Sequence, residues 1–162
     1  MKFVFLDIDG VLVNHQSWHD RKWRHANAHP GCVAALNRII AETDARIVVS
    51  STWRLDTKLA DLREIINRRF GVNGPIIAKT PRLLTETWHE GKLGSIVLAA
   101  ERGDEIGTWL LNYHRHPVES YVILDDDSDM GRHKHRLVQT KFDEGLTMAH
   151  AERAIAMLNG AL

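Results

Sequence analysis

The segment Phe3-Val4-Phe5-Leu6-Asp7-Ile8-Asp9-Gly10 (residues 3–10) decides the fold of this chain. Its first four residues are apolar without polar alternation, which is typical of a strand covered on both faces of a sheet. Two carboxylates one residue apart follow, and the alternation of side chains along a strand makes Asp7 and Asp9 point the same way. Burying paired charges is costly unless a cation or a reaction needs them. The segment therefore predicts a central strand that ends at a functional site.

Further apolar runs predict the other strands of the sheet. In addition to residues 3–8, strands are expected over residues 46–50, 121–124 and 137–140, with a weaker candidate over residues 76–78. Apolar residues at helical spacing predict helices between them. The helical stripes contain Val33, Leu36 and Ile40; Leu59, Leu62 and Ile66; Ile106, Trp109, Leu110 and Tyr113; and residues 147–158. Strands that alternate with helices predict an α/β fold with a central parallel sheet and right-handed crossovers.

Two segments do not fit this alternation. Residues 14–30 are polar and rich in His and Trp, without a clean period. Residues 79–101 mix turn signals with apolar residues, and we expect part of this stretch to be helical. Gly71, which follows the second helical stripe, is expected to cap that helix at its C-terminus.

The composition indicates a single domain over residues 1–162. Lys plus Arg and Asp plus Glu both number 21, so the global charge predicts no polyanionic partner. The single cysteine, Cys32, excludes an intramolecular disulfide and fits a reducing compartment, so we expect a cytoplasmic protein. No apolar stretch is long enough to cross a bilayer, and the sequence does not indicate an oligomeric state.

Polar side chains follow three of the predicted strands. Asp7 and Asp9 end the first, Ser50-Ser51-Thr52 ends the second, and Asp125-Asp126-Asp127 ends the third. In a parallel sheet these ends lie at one edge, where open α/β folds bind their ligands. Carboxylates together with hydroxyls suit Mg²⁺ and a phosphate group.

These motifs resemble those of haloacid-dehalogenase-type (HAD) phosphohydrolases. Asp7-Ile8-Asp9-Gly10-Val11 matches the first motif of that superfamily, Ile47-Val48-Val49-Ser50 the second, and Val122-Ile123-Leu124-Asp125-Asp126 the fourth. The resemblance implies a three-layer Rossmann-like fold and a Mg²⁺-dependent phosphomonoesterase. The third motif, usually a Lys before the last of these strands, is best matched by Arg102, with Lys79 and Lys92 as alternatives.

A narrower resemblance covers nearly the whole chain. The relevant stretches are residues 50–54, Lys79-Thr80-Pro81, residues 102–110 and Gly145-Leu146-Thr147. They are similar to HAD domains of nucleic-acid repair proteins, such as the 3′-phosphatase half of polynucleotide kinase-phosphatases. This resemblance implies a substrate with a phosphorylated RNA or DNA end.

The superfamily resemblance also implies a role for each site residue. Asp7 would attack phosphorus and form an aspartyl-phosphate, and Asp9 would protonate the leaving oxygen and then deprotonate the attacking water. Mg²⁺ would be held by the Asp7 carboxylate, the Asp9 carbonyl and Asp125. Asp126 would contribute through water, and Asp129 is a weaker candidate.

The remaining roles concern the phosphate group. Ser50 and Ser51 would hold its oxygens, Arg102 would neutralise it, and Arg54 would clamp it or a neighbouring phosphate. Each of these residues also has a plainer interpretation. Ser50 suits a helix N-cap, and both arginines suit surface cations or ion pairs.

The spacing of the motifs leaves little room for a separate cap domain, so we expect a capless enzyme or a small flap over residues 14–30. Residues 18–25, with two Trp and several basic residues, suit either base stacking or packing of that flap. An open site favours a nucleic-acid end as substrate. The alternatives are a small-molecule or nucleotide phosphatase, a phosphoacceptor signalling domain and a non-catalytic binding module.

Overall fold

The computed structural model describes residues 1–19, 27–88 and 95–160. Among these residues there are seven strands. In chain order they are β1 Lys2–Leu6, β2 Arg46–Val49, β3 Ile76–Lys79, β4 Leu84–Trp88, β5 Ser95–Ala99, β6 Ser120–Asp125 and β7 Leu137–Gln139. Five of them form one parallel sheet in the order β3-β2-β1-β6-β7. The predicted α/β fold with a central parallel sheet is confirmed, and β1 lies in its centre.

The helices lie between these strands and after the last one. They are α1 His15–His19, α2 Pro30–Thr43, α3 Leu59–Arg63, α4 Arg102–Asn112 and α5 Met148–Leu158. A π-helical segment, Glu64–Arg69, continues α3, and short 3₁₀ turns occupy Thr52–Arg54 and Gly131–Arg136. Gly71 follows the π-helical segment with a φ of +83°, a value that glycine adopts readily. This agrees with the expected C-terminal cap.

The sheet separates two apolar clusters, which accounts for the absence of polar alternation in β1. Val4 and Leu6 pack in the larger cluster, which includes residues of α2 and α5. Phe3 and Phe5 pack in the smaller cluster, with Ile106 of α4. Because successive side chains of a strand point to opposite faces, a strand between two helical layers must be apolar at every position.

The stretch 79–101 differs from the sequence-based expectation, because the helix expected there is wrong. Leu84–Trp88 and Ser95–Ala99 instead pair as an antiparallel hairpin outside the main sheet. The pairing extends from Leu84 opposite Ala99 to Trp88 opposite Ser95. The apolar residues of this segment fit the periodicity of a helix as well as that of a strand, and in such a segment cross-strand pairing decides the structure.

The flap expected over residues 14–30 is described only at its ends. The helix α1 and residues 27–29 belong to the described part, and most of residues 18–25 lie outside it. Within the described part of the chain, no helix combines the length and the apolar character that crossing a membrane requires.

Candidate active site

Three strand ends bring the predicted polar residues to one edge of the sheet. Leu6 of β1 pairs with Val49 of β2 and with Leu124 of β6, so the residues that follow lie at the same level. The Asp7 amide donates to the Leu124 carbonyl at 3.0 Å, and the Ser50 amide donates to the Leu6 carbonyl at 2.9 Å. Asp7, Ser50 and Asp125 are therefore neighbours because the strands are parallel and in register.

Arg102, the first residue of α4, places its guanidinium between these strand ends. Its Nη1 lies 3.1 Å from Asp7 Oδ1, and its Nε lies 3.5 Å from Asp125 Oδ2. Nη1 also donates to the Ser50 carbonyl. Burial acts to lower the pKa of Arg102, but the charges of Asp125 and Asp7 outweigh that effect and raise it. Arg102 thus brings one permanent positive charge to the predicted phosphate position.

Of the two alternative bases, only Lys79 belongs to the described residues, and it is engaged elsewhere. Lys79 Nζ donates to the carbonyls of Arg54 and Thr57, at 2.6 and 2.9 Å, and so fastens the loop after β2. Lys92 lies outside the described residues.

An acidic cluster suited to a divalent cation forms at the same edge. Asp7, Asp125 and Asp126 each offer a carboxylate oxygen, and these oxygens lie within 4.8 Å of one another. Burial raises the pKa of Asp7 to about 6 and that of Asp125 to about 7, and it also raises the pKa of Asp126. These carboxylates are buried, and the nearby positive charge and hydrogen bonds do not fully offset the cost of burying them. Closely spaced carboxylate oxygens of this kind fit a hard cation such as Mg²⁺.

The other two predicted metal contacts differ in their support. The carboxylate of Asp9 is not among the clustered oxygens, and the use of its backbone carbonyl stays a prediction. Asp129 Oδ2 accepts from the Arg102 backbone amide at 3.1 Å, and the Asp129 carbonyl accepts from Gly103 at 3.1 Å. Asp129 therefore holds the start of α4.

The loop after β1 is shaped by Gly10. Its φ is +79°, and a Cβ there would lie 2.3 Å from Cγ of Asp126. The Gly10 carbonyl accepts from Thr140 Oγ1 at 2.7 Å, which ties the loop to the residue after β7. A glycine at this position lets the loop pass against the acidic cluster.

Asp9 has a specific partner on the neighbouring loop. Its Oδ2 accepts from the indole Nε1 of Trp53 at 2.8 Å. Its other oxygen, Oδ1, is buried and has no hydrogen-bond partner among the described residues. Trp53 was not among the predicted site residues, so this contact was missed.

The predicted phosphate-holding serines are both buried. Ser50 Oγ has no hydrogen-bond partner within the described ranges, and so its hydroxyl can donate to a ligand oxygen. Ser51 Oγ accepts from the Trp53 amide at 3.4 Å and caps the 3₁₀ turn Thr52–Arg54. A hydrogen bond with the Ser51 side chain also lowers the pKa of Asp7, against the larger effect of burial.

Arg54, which was predicted to clamp a phosphate, contacts several groups of the protein itself. Its guanidinium donates to the carbonyls of Ser50, Ser51, Thr80 and Pro81, at 2.9 to 3.3 Å, and forms an ion pair with Glu105. Each of its nitrogens has an acceptor in the protein, so Arg54 anchors the loop after β2, and its contact with a phosphate stays a prediction. Neither Glu105 nor its pairing with Arg54 had a local signal in the sequence.

A cleft of about 210 Å³ opens beside this site. Residues on its lining come from the loop after β2, the base of the hairpin, the start of α4 and the loop after β6; they include Thr52, Leu55, Arg82, Ala100, Arg102 and Asp129. Arg82 is exposed, whereas Arg102 is engaged with the site carboxylates. A larger cavity of about 410 Å³ between Asn27 and Arg69 contains none of the strand-end residues.

Comparison with known families gives a match over most of the chain. A sequence profile for the family described as "HAD domain in Swiss Army Knife RNA repair proteins" matches residues 3–151. No curated protein and no solved structure matches the chain. The matched range includes every strand end that contributes to the site.

Proposed function

The chain belongs to the family of HAD domains in Swiss Army Knife RNA repair proteins, and on this premise we propose that it is a Mg²⁺-dependent phosphomonoesterase that acts on 3′-phosphate ends of nucleic acid. Membership of the family implies phosphatase-type activity. The observation that carries the finer proposal is the meeting of Asp7, Arg102 and the acidic cluster at one sheet edge.

In the proposed reaction, Asp7 attacks phosphorus and displaces the leaving oxygen, so that an aspartyl-phosphate forms. The contact between Arg102 and Asp7 supports this role, because the guanidinium holds the carboxylate and lies where phosphate charge would be offset. Ser50, whose buried Oγ has no partner among the described residues, donates to a phosphate oxygen. Ser51 caps the adjoining turn, and its side chain is hydrogen-bonded to Asp7.

The acidic cluster supports a bound Mg²⁺ held by Asp7, Asp125 and Asp126. When bound, the ion would offset the charges of the phosphate and the carboxylates. Asp9 donates a proton to the leaving oxygen as the P–O bond breaks, and then takes one from the water that attacks the aspartyl-phosphate. That attack releases inorganic phosphate and restores Asp7.

Two features support a nucleic-acid end as the substrate. The matched family is described by its occurrence in RNA repair proteins. The cleft beside Arg102 also has an exposed cation, Arg82, where a polymer end would continue beyond its terminal phosphate. An exposed cation on the cleft wall suits contact with a neighbouring phosphodiester.

A comparison of substrates tests the proposal. The purified protein would be assayed with Mg²⁺ or EDTA on RNA and DNA oligonucleotides with a 3′-phosphate, a 5′-phosphate oligonucleotide, a mononucleotide and nitrophenyl phosphate. We expect the highest kcat/KM on a 3′-phosphate end and no turnover in EDTA. Equal values on all substrates would contradict the end-specific proposal and favour a general or small-molecule phosphatase.

The Asp7→Asn variant provides the matched control. We expect its activity to fall at least about a thousandfold, as losing a nucleophile does in other enzymes, while its circular dichroism spectrum stays unchanged. A wild-type protein that retains a stable aspartyl-phosphate without turnover would instead indicate a phosphoacceptor domain. Absence of both phosphorylation and turnover would indicate a binding module.

A further inference from the structure

We propose that Trp53 is a positioning residue for the proton transfer by Asp9, and that Asp9 Oδ1 is the oxygen that exchanges the proton with the leaving group. This inference rests on the proposed phosphatase function. Its direct evidence is the 2.8 Å hydrogen bond from Trp53 Nε1 to Asp9 Oδ2.

The hydrogen bond makes the two oxygens of Asp9 unequal. Oδ2 accepts from the indole, whereas Oδ1 is buried and lacks a partner among the described residues. An N–H group held at one oxygen restricts rotation of the carboxyl group, so the other oxygen keeps a constant direction. General acid catalysis depends on such geometry, because the proton must reach the leaving oxygen as the bond breaks.

Trp53 is itself held on three sides. Its backbone amide donates to Ser51 Oγ at 3.4 Å within the 3₁₀ turn Thr52–Arg54. Its ring meets that of Phe70 edge to face, with centroids 6.1 Å apart. The next residue, Arg54, is fastened to Glu105 and to four backbone carbonyls. The indole ring is therefore fixed in position, and its N–H group can orient the Asp9 carboxyl group.

The proton balance of the step is simple. As Asp7 Oδ forms its bond to phosphorus, the P–O bond to the leaving group breaks, and the leaving oxygen takes the electron pair together with the proton from Asp9 Oδ1. In the second step water gives a proton to Asp9 Oδ1, and the water oxygen binds phosphorus. The bond between phosphorus and the Asp7 oxygen breaks at the same time. Trp53 keeps its own N–H proton throughout.

The dependence on the leaving group distinguishes this role from a structural one. A nitrophenolate departs without protonation, whereas a nucleoside alkoxide needs a proton as it leaves. For Trp53→Phe, which keeps an aromatic ring against Phe70, we expect the single-turnover rate of leaving-group release from an oligonucleotide 3′-phosphate to fall by roughly 10- to 100-fold, a part of the whole effect of a general acid. On nitrophenyl phosphate we expect the pre-steady-state release of nitrophenolate, which reports the first step alone, to fall by less than about threefold.

A double-mutant cycle with Asp9→Asn makes the test sharper. If Trp53 acts through Asp9, then Trp53→Phe lowers the single-turnover rate in the wild-type background and has no further effect once Asp9 is Asn. Trp109→Phe is the matched control, because Trp109 packs against Phe3 and Phe5 on the α4 side of the sheet. We expect that control to leave the ratio of the two substrates unchanged.

Each outcome has a separate meaning. Equal losses on both substrates, the same loss in the Asp9→Asn background, or no loss at all would overturn the positioning role of Trp53 while leaving the phosphatase function intact. A wild-type protein that hydrolyses neither substrate would instead contradict the proposed function itself.

Discussion

Arg54 and Glu105 form an ion pair whose side chains are only 4% and 7% exposed. The pair joins the loop after β2, which carries Ser51 and Trp53, to the helix α4, which begins with Arg102. A second Glu105 oxygen accepts from the Leu83 amide at 3.1 Å, next to the hairpin. Three segments that form the site are therefore connected through one buried carboxylate.

The first prediction concerns the stability that this pair provides. Glu105→Gln leaves the Arg54 charge buried without its counter-ion, and we expect it to lower the free energy of unfolding by about 3 kcal/mol. Urea denaturation followed by circular dichroism measures the change. Glu42→Gln removes an exposed partner of Arg38 and is the matched control, with an expected loss of less than about 1 kcal/mol. Equal losses in the two variants would contradict the anchoring role.

The second prediction concerns Arg82 and the length of the substrate. Arg82→Ala removes the exposed cation of the cleft, so we expect KM for an oligonucleotide 3′-phosphate to rise about fivefold and its salt dependence to weaken by about 0.7 in log–log slope. KM for nitrophenyl phosphate should stay the same. Arg115→Ala is the control, because Arg115 lies near Met1 and Arg46 at the opposite sheet edge. A rise of KM for both substrates would argue against a phosphodiester contact.

The third prediction concerns pH and metal. Burial raises the pKa of Asp7 to about 6 and that of Asp125 to about 7, so both carboxyls bind protons more tightly in the folded protein than in the unfolded chain. The free energy of unfolding therefore includes the full contribution of the two protonated carboxyls below about pH 4. It falls as the pH rises towards 7, by up to about 1.4 kcal/mol per pH unit for each proton.

Thermal unfolding in EDTA between pH 4 and 8 measures this loss. We expect the pH dependence to be weaker in Asp125→Asn than in the wild type. At pH 7 we expect Mg²⁺ to raise the midpoint of the wild type, with about 2.7 kcal/mol gained at a hundred times Kd, and to have little effect on the variant. A metal response that is the same in both proteins would place the cation elsewhere.

The fourth prediction concerns Gly103, the second residue of α4. A Cβ at this position would lie 2.3 Å from the Met130 carbonyl oxygen, so Gly103→Ala must push α4 away from the Asp129–Met130 backbone. We expect a loss of about 1–3 kcal/mol in stability and a lower kcat, because Arg102 moves with the helix. Gly31→Ala is the control, since its Cβ meets only the movable His29 ring at 3.2 Å. An unchanged kcat in Gly103→Ala would show that Arg102 tolerates the shift.

Much of the fold and the central residues of the site could be predicted because their signals are local. The apolar run before Asp7 needs two covered faces, and parallel strands bring Asp7, Ser50 and Asp125 to one edge whatever the details of the loops. The position of Arg102 required the resemblance to known motifs, and its contact with Asp7 agrees with that expectation.

The remaining features depend on partners distant in sequence. The ion pair of Arg54 with Glu105 could not be predicted, because the two residues are far apart in the sequence and no local pattern joins them. The hairpin that contains Leu84 and Ala99 was missed, since cross-strand pairing is a non-local property. The contact of Trp53 with Asp9 joins two loops and leaves no periodic pattern.

The hairpin has a consequence for how such a protein can diversify. Its two ends meet at one backbone hydrogen bond, from the Ala100 amide to the Leu83 carbonyl at 3.1 Å, so the chain leaves and rejoins the sheet layer at a single point. A segment attached in this way can change in length or composition without altering the register of the central strands. Exchanging the segment between Leu83 and Ala100 for another hairpin is therefore expected to leave the residues at the sheet edge in place.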